Sequence, residues 1–433
     1  MKNRTLSIPR LTRREFSSLR SSTIAVLAIV TNLPFIGPTV HANDWSQWRG
    51  ANRDAKAIGF TAPSTWPKQL TQKWKVVVGE GVASPALVGD KLYVFSREQG
   101  NEVTRCLDVA TGKEVWQDKY EAQGATGPAS GFSGPRSSPT VANGKIVTVG
   151  VRGTLSCLDV ATGKQLWRKD DFQGATPMFF TSSSPLVEGR QCFAQLGGRD
   201  NGAVVAYDLT TGDQKWKWSG DSPGYGSPVL MNVEGAKQLI ALTERRIVAL
   251  NPADGKLAWE IPFALEGRGA YNAVTPIVDG STIIFSGSRR GTKAMKVQKE
   301  GDAFAAKELW TNADKSVQFN TPVLKDGLLY GLSQSNEFFC INAQNGQTAW
   351  SAPAGPSTGG GRGGGFGSIV DAGSVLLALT PSSELIAFQP GDKAYTELAR
   401  IKVADTPTHA YPILSGNRIF IKDKESVTLW AIE

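Results

Sequence analysis

Along most of the chain, apolar side chains come in short alternating runs broken by Gly, Asp and Asn, the period-two pattern of strands joined by tight turns. The runs form a phrase that repeats. It opens on Ser/Thr-Pro, passes through one apolar strand, a Gly/Asp/Asn turn and a second strand, and closes on an apolar-Asp-x-x-[Ser/Thr/Asp]-Gly-Lys turn before a Trp-bearing strand. The openings are Ser84-Pro85, Ser138-Pro139, Ser184-Pro185, Ser227-Pro228, Thr275-Pro276, Thr321-Pro322, the weaker Gly367-Ser368-Ile369, and Tyr411-Pro412, spaced 43 to 54 residues apart. The second half of the phrase is as regular, as in Cys106-Leu-Asp-Val-Ala-Thr-Gly-Lys-Glu-Val-Trp116 and Cys157-Leu-Asp-Val-Ala-Thr-Gly-Lys-Gln-Leu-Trp167. There Asp accepts hydrogen bonds across the turn and Gly supplies a positive φ.

Four short strands per unit at this period predict a propeller blade, and eight openings predict an all-β, eight-bladed β-propeller over residues 70–433. The fifth unit departs from the phrase, the seventh lacks its Trp, and the eighth ends at Ile432 without an outermost strand. Gln72-Lys-Trp-Lys-Val-Val77 supplies that strand, so the N-terminal strand is expected to pair with the last blade and close the ring without an orphan edge. The repeated Trp suits packing between neighbouring sheets. Cys106, Cys157 and Cys340 stand where Ala206 and Ala249 stand in other units, which marks a small buried position rather than a metal ligand.

Composition changes this picture little, but the location of charge does. The formal charge of +8 is concentrated in residues 1–42, and the remainder carries 41 basic against 38 acidic side chains, too small an excess for a nucleic-acid surface. Those first 42 residues read as an export signal: a basic stretch, the apolar run Thr23–Val30, and small residues before a cleavage expected after Ala42. Arg13, Arg14 and Phe16 match the twin-arginine pattern, and a Sec signal is the alternative. The apolar run is too short to span a bilayer, so a periplasmic or secreted protein with no stable membrane span is expected. Residues 43–69 form a lead-in expected to cross one face of the ring.

The unit, with its Ala-x-Asp-x-x-[Ser/Thr]-Gly-Lys-x-x-Trp core, resembles the pyrroloquinoline quinone (PQQ) repeat of PQQ-like propellers over residues 70–433. It also resembles the BamB propellers of outer-membrane protein assembly and secreted proteins that open, as here, with Asp44-Trp-Ser-Gln-Trp-Arg-Gly-Ala-Asn-Arg53. The dehydrogenase branch of that resemblance implies PQQ over a disulfide of adjacent cysteines, beside calcium held by Glu, Asn and Asp. No Cys-Cys pair and no Cys-x-x-Cys-His occurs, and no calcium ligand set can be matched residue by residue.

The expected function is therefore a non-catalytic binding or scaffold protein, monomeric, presenting its loops to a protein or polymer partner, with no cofactor. An oxidoreductase holding PQQ and calcium in a divergent axial pocket stands second, and a carbohydrate-active propeller third. Long connections between blades are where binding is expected. Arg136, Tyr225, Arg268, Tyr271 and Asn272 are the candidates for a polar, aromatic funnel, since Arg reaches anions bidentately and Tyr adds a stacking face. The alternative for each Arg is capping of carbonyls in the blades. The run Gly359–Gly367 lacks the Gly-Lys-[Ser/Thr] end of a phosphate loop and reads as a linker or lid. His409 is the one histidine after residue 42, too few for a His-rich metal site.

Overall fold

The structure is a computed structural model that describes residues 44–265, 271–355 and 366–433. Arg13, Arg14, Phe16, Ala42 and Arg268 lie outside these residues. The described strands form eight four-stranded antiparallel sheets, each of consecutive strands except one. In that one, Thr71–Val77 pairs with Ser426–Ala431 and completes the blade of Ile413–Ser415, Arg418–Lys422 and Ser426–Ala431. The eight-bladed propeller and its closure are as the repeat predicts. We number the blades 1 to 8 in the order of their openings. No helix of the described residues is long and apolar enough to cross a membrane.

The turn of the repeat does two jobs. In blade 1, Asp108 Oδ1 accepts the Thr111 N–H at 3.0 Å, and Gly112 has φ 70°. Asp159 and Gly163 do the same in blade 2, at 2.9 Å and 72°. The Gly also leaves room for the Trp of the preceding blade. A Cβ at Gly112, Gly163, Gly212, Gly255 or Gly346 would fall 2.4–2.8 Å from the ring of Trp74, Trp116, Trp167, Trp216 or Trp310 respectively. Each of these rings donates its indole N–H to a carbonyl of the neighbouring turn: Val109, Val160, Leu209, Pro252 and Ala343, at 2.8–3.2 Å.

Departures from the repeat have local consequences. Blade 5 replaces the turn by the long hairpin Thr292–Glu300 and Ala303–Asn312, so Trp259 of blade 4 finds no neighbouring turn and donates to Gln238 of its own blade at 2.7 Å. Blade 7 has Ala399 in the register position of the Trp. Trp74, on the N-terminal strand, is the docking Trp of blade 8 and joins it to blade 1.

A second circuit runs round the axis through the openings. The main-chain N–H of Ser84 donates to Ser138 Oγ, that of Ser138 to Ser184, Ser184 to Ser227, Ser227 to Thr275 and Thr275 to Thr321, at 2.8–3.1 Å. Tyr411 N–H donates to Ser84 Oγ at 2.7 Å. A hydroxyl is required here because each buried amide needs an acceptor that the next blade's main chain does not offer. The circuit breaks at the weak seventh opening, where buried Ser368 Oγ has no partner and Tyr411 Oη reaches Thr321 O at 3.3 Å.

The lead-in crosses the end of the ring where each blade's first hairpin lies. Trp45 exchanges both main-chain bonds with Leu87 of blade 1, Ser46 O accepts from Val141 of blade 2, and Ala55 and Ala57 bond both main-chain groups of Asp371 in blade 7. Arg49 and Arg53 are buried, both in the left-handed region at φ 62° and 60°. Arg49 donates to Pro322 O at 2.8 Å and lies between Trp48 and Tyr411, with 5.5 and 5.7 Å to the ring centroids. Arg53 donates to Pro185 O and, at 2.9 Å, to Pro228 O. Thr61 N–H donates to Gly416 O of blade 8 at 3.0 Å, so this segment, whose role is opaque in sequence, staples every blade but the fifth among the described residues.

Gly163→Ala is expected to cost about 2–4 kcal/mol, combining left-handed strain with the collision on Trp116. Gly144→Ala, at φ 71° in open space, should cost only about 1 kcal/mol. Calorimetric unfolding of the two variants isolates the docking contact; equal costs would mean that it contributes nothing.

Candidate functional site

At the end of the ring opposite the lead-in, the connection from each blade to the next turns into the axis just before its Ser/Thr-Pro. Seven consecutive connections each place an aromatic ring there: Phe132, Phe179, Tyr225, Tyr271, Phe319, Phe366 and His409, all half-buried. The rings touch in series. Phe132 meets His409 edge-on with centroids 4.7 Å apart, and His409 meets Phe366 at 5.2 Å. Phe366 stacks on Phe319 at 4.1 Å, Phe319 on Tyr271 at 5.7 Å, and Tyr271 lies 5.4 Å from Phe179 and 5.9 Å from Tyr225. Edge-to-face and offset-stacked contacts of this kind are the favoured geometries of aromatic pairs. The result is an aromatic collar over one mouth of the axis.

Beside the collar lies a cleft of about 330 Å³, lined by the connections of blades 2 to 5, including Met178, Tyr225, Tyr271 and Asn272, and by Arg199 and Glu244. Arg199 and Glu244 pair at 2.8 Å on its rim. Below it the buried carboxylate of Asp221 accepts from Thr243 Oγ1 at 2.7 Å and from the N–H groups of Arg245 and Ser222 at 2.9 Å, which fixes the floor. Burial pushes the Tyr225 phenol up to about 12 and raises that of Tyr271, so both are neutral hydrogen-bonding groups. Tyr225 Oη accepts the Phe179 N–H at 2.9 Å, and Tyr271 Oη accepts from Gln318.

Of the residues singled out in sequence, Tyr225, Tyr271 and Asn272 therefore share one cleft. Asn272 is a tie: its Nδ2 donates to the carbonyls of Phe263, Thr243 and Glu244 at 2.9–3.1 Å. Arg136 stands near Tyr225, but its guanidinium donates to the carbonyls of Ala129 and Phe132 at 3.0 Å within its own connection. The other collar members, Phe132, Phe179, Phe319, Phe366 and His409, are not among those candidates. Their signal in sequence is loose: each lies within six residues of the opening that follows, at no fixed distance.

Of the quinoprotein cofactor site, the platform of disulfide-bonded adjacent cysteines has no counterpart here. Among the described residues no three His, Cys, Asp or Glu side chains converge to hold a metal. The four cysteines are free and buried, and none provides a disulfide platform at the axis. What the mouth offers is stacking area, two neutral phenols and a rim ion pair.

A family model described as outer membrane protein assembly factor BamB matches residues 63–217 and 99–352. The outer membrane protein assembly factor BamB of Yersinia pestis is 22% identical over 293 residues, which cover 64% of this chain and 69% of that one. The quinohemoprotein alcohol dehydrogenase of Comamonas testosteroni is 27% identical over 139 residues, 31% of this chain. The match spans only 19% of the dehydrogenase's own length. Among solved structures, BamB from Moraxella catarrhalis superposes with a TM-score of 0.60 at 15% identity, over 84% of this chain and 100% of that one. This last likeness carries the fold alone.

The collar has a pH signature. Burial lowers the His409 imidazole to about 4, with Nδ1 unpartnered, so it is neutral in the fold while the unfolded chain titrates near 6.5. The unfolded state then binds the extra proton between these values, and its contribution to stability is present above pH ~6.5 and lost as the pH falls towards ~4. The acid loss of stability across that window should be smaller in His409→Phe by at most about 3 kcal/mol, read from denaturant melts at each pH. Identical pH profiles for the two proteins would contradict the assignment.

Proposed function

The chain belongs to the outer membrane protein assembly factor BamB family, and from that premise we propose that it is an exported, non-catalytic scaffold that binds a polypeptide partner at the collar end of the ring. The observation that carries this reading is the convergence of seven half-buried aromatic rings from seven connections on one mouth, beside an open cleft, with no metal-holding acid cluster among the described residues. Aromatic side chains are what the centres of protein interfaces are built from, because they offer large area at low entropic cost. The basic, apolar and small-residue order of residues 1–42 supports export to the periplasm or beyond, through the twin-arginine pair Arg13 and Arg14. The near-neutral remainder supports a protein over a nucleic-acid partner. Arg136, whose guanidinium ties the connection that carries Phe132, is proposed to steady the collar there.

The dehydrogenase among the relatives sets the competing reading, an oxidoreductase that holds PQQ and calcium, and calorimetry separates the two. Titration of the mature protein with PQQ, with and without calcium, is expected to give no binding heat at high micromolar ligand; stoichiometric, calcium-dependent binding would replace the scaffold reading. Independently, a photo-crosslinking side chain at Met178, 59% exposed on the cleft, should form a discrete polypeptide adduct in the exporting cell. That adduct should fall at least several-fold in Tyr271→Ala, while a crosslinker at Leu257 on the outer edge gives none. Adducts at Leu257 alone would move the partner site off the collar.

A further inference from the structure

The opposite end of the ring carries a second cleft, of about 430 Å³, between the lead-in and the innermost strands of blades 3, 4 and 5. Its walls include Val187, Leu230 and Val278, each two residues after the Pro of its opening. Register fixes what these three present. In each blade the hairpin is closed by a hydrogen-bonded pair, Glu188 with Gln191, Val233 with Ala236, and Asp279 with Thr282. Alternation along an antiparallel pair then turns the N–H and C=O of Val187, Leu230 and Val278 away from their own sheet, to the free edge at the axis.

The equivalent residues elsewhere show what such an edge takes. In blade 1 it is Leu87, whose two main-chain groups bond Trp45 at 2.8 and 2.9 Å. In blade 2 it is Val141, whose N–H donates to Ser46 O at 2.8 Å, and in blade 7 it is Asp371, bonded to Ala55 and Ala57. The lead-in is itself an extended peptide that crosses from blade to blade, making one or two main-chain bonds at each. At blades 3 and 4 it makes no such bond among the described residues and reaches the openings only through the Arg53 side chain. The three edges that face the cleft are therefore the same surface that the lead-in covers on blades 1, 2 and 7.

We propose that this cleft is a docking site for an extended segment of a partner polypeptide, which crosses blades 3 to 5 as the lead-in crosses blades 1 and 2. Main-chain bonds to the free edges supply the affinity, and apolar side chains against the half-buried Val187, Leu230 and Val278 supply the preference. Unpaired edge groups are a template for another chain, and the volume suits a few residues rather than a folded domain. This site is separate from the collar, and its fate does not depend on what binds there.

The test is amide hydrogen exchange and chemical shift by NMR on the deuterated mature protein, with the probe acetyl-Thr-Val-Thr-Val-Thr-amide and its central-N-methyl analogue. In the free protein the amides of Leu87 and Val141 should be protected and those of Val187, Leu230 and Val278 should exchange fast. Millimolar probe should shift and protect these three, the N-methyl analogue should bind about tenfold more weakly for the loss of a main-chain bond, and Ala51→Phe, filling the cleft from the lead-in, should abolish the effect. Absence of shifts, or equal binding of the two peptides, overturns the proposal. So does protection of the three amides that grows with protein concentration in the absence of peptide, which would make a second copy the occupant.

Discussion

The contact on which the ring depends is an indole lying flat on a glycine. A propeller blade is a small sheet with two faces to bury, and it has no stability apart from its neighbours. Here Trp74, Trp116, Trp167, Trp216 and Trp310 each cross to the next blade, pack where a Cβ would collide, and give the indole N–H to a carbonyl of the turn that holds the Gly. One residue thus satisfies a packing requirement and a hydrogen-bond requirement at once. The turn it needs is also the turn that ends one strand and starts the next. Strand formation and blade packing are therefore set by the same few residues, and the closing Trp74 must come from the other end of the described chain because blade 8 has no fourth strand of its own.

This coupling explains why so much of the fold could be read in one dimension. The eight openings, the strand from the N-terminus and the buried cysteine position all follow from alternation and from the turn motif. The second reason for Gly112 and Gly163 did not, since their nearness to Trp74 and Trp116 exists only after the blades meet. The Ser/Thr of the openings reads as strand punctuation, and only the assembled axis shows it as a run of acceptors for buried amides, broken at Ser368. Blade 5 shows the same logic in reverse: without the Gly turn, Trp259 bonds within its own blade.

The two mouths were less legible, for different reasons. At the collar, the aromatic residues come from seven connections of unequal length, and Phe132 and Phe319 sit at different distances from their openings, so no fixed spacing announces them. Tyr225 and Tyr271 can be picked out because a tyrosine on a connection between blades offers a stacking face. Arg136 sits beside them but spends its donors on its own connection. At the other mouth, Arg49 and Arg53 were part of a recognisable opening phrase with no readable role. Their left-handed backbone and the carbonyls they reach, 131 to 273 residues away in sequence, are consequences of closure. The ring is thus stapled at one end and lined by aromatic rings at the other, with its variable chemistry in the connections.

The most direct test of this account is a hydrogen-exchange footprint of the mature protein, alone and with the polypeptide partner bound. The account predicts new protection in the connections that carry Phe179, Tyr225 and Tyr271, with the outermost strands, such as Glu114–Glu121 and Leu257–Pro262, unchanged. Protection confined to those outer strands, with the collar exchanging as in the free protein, would contradict it.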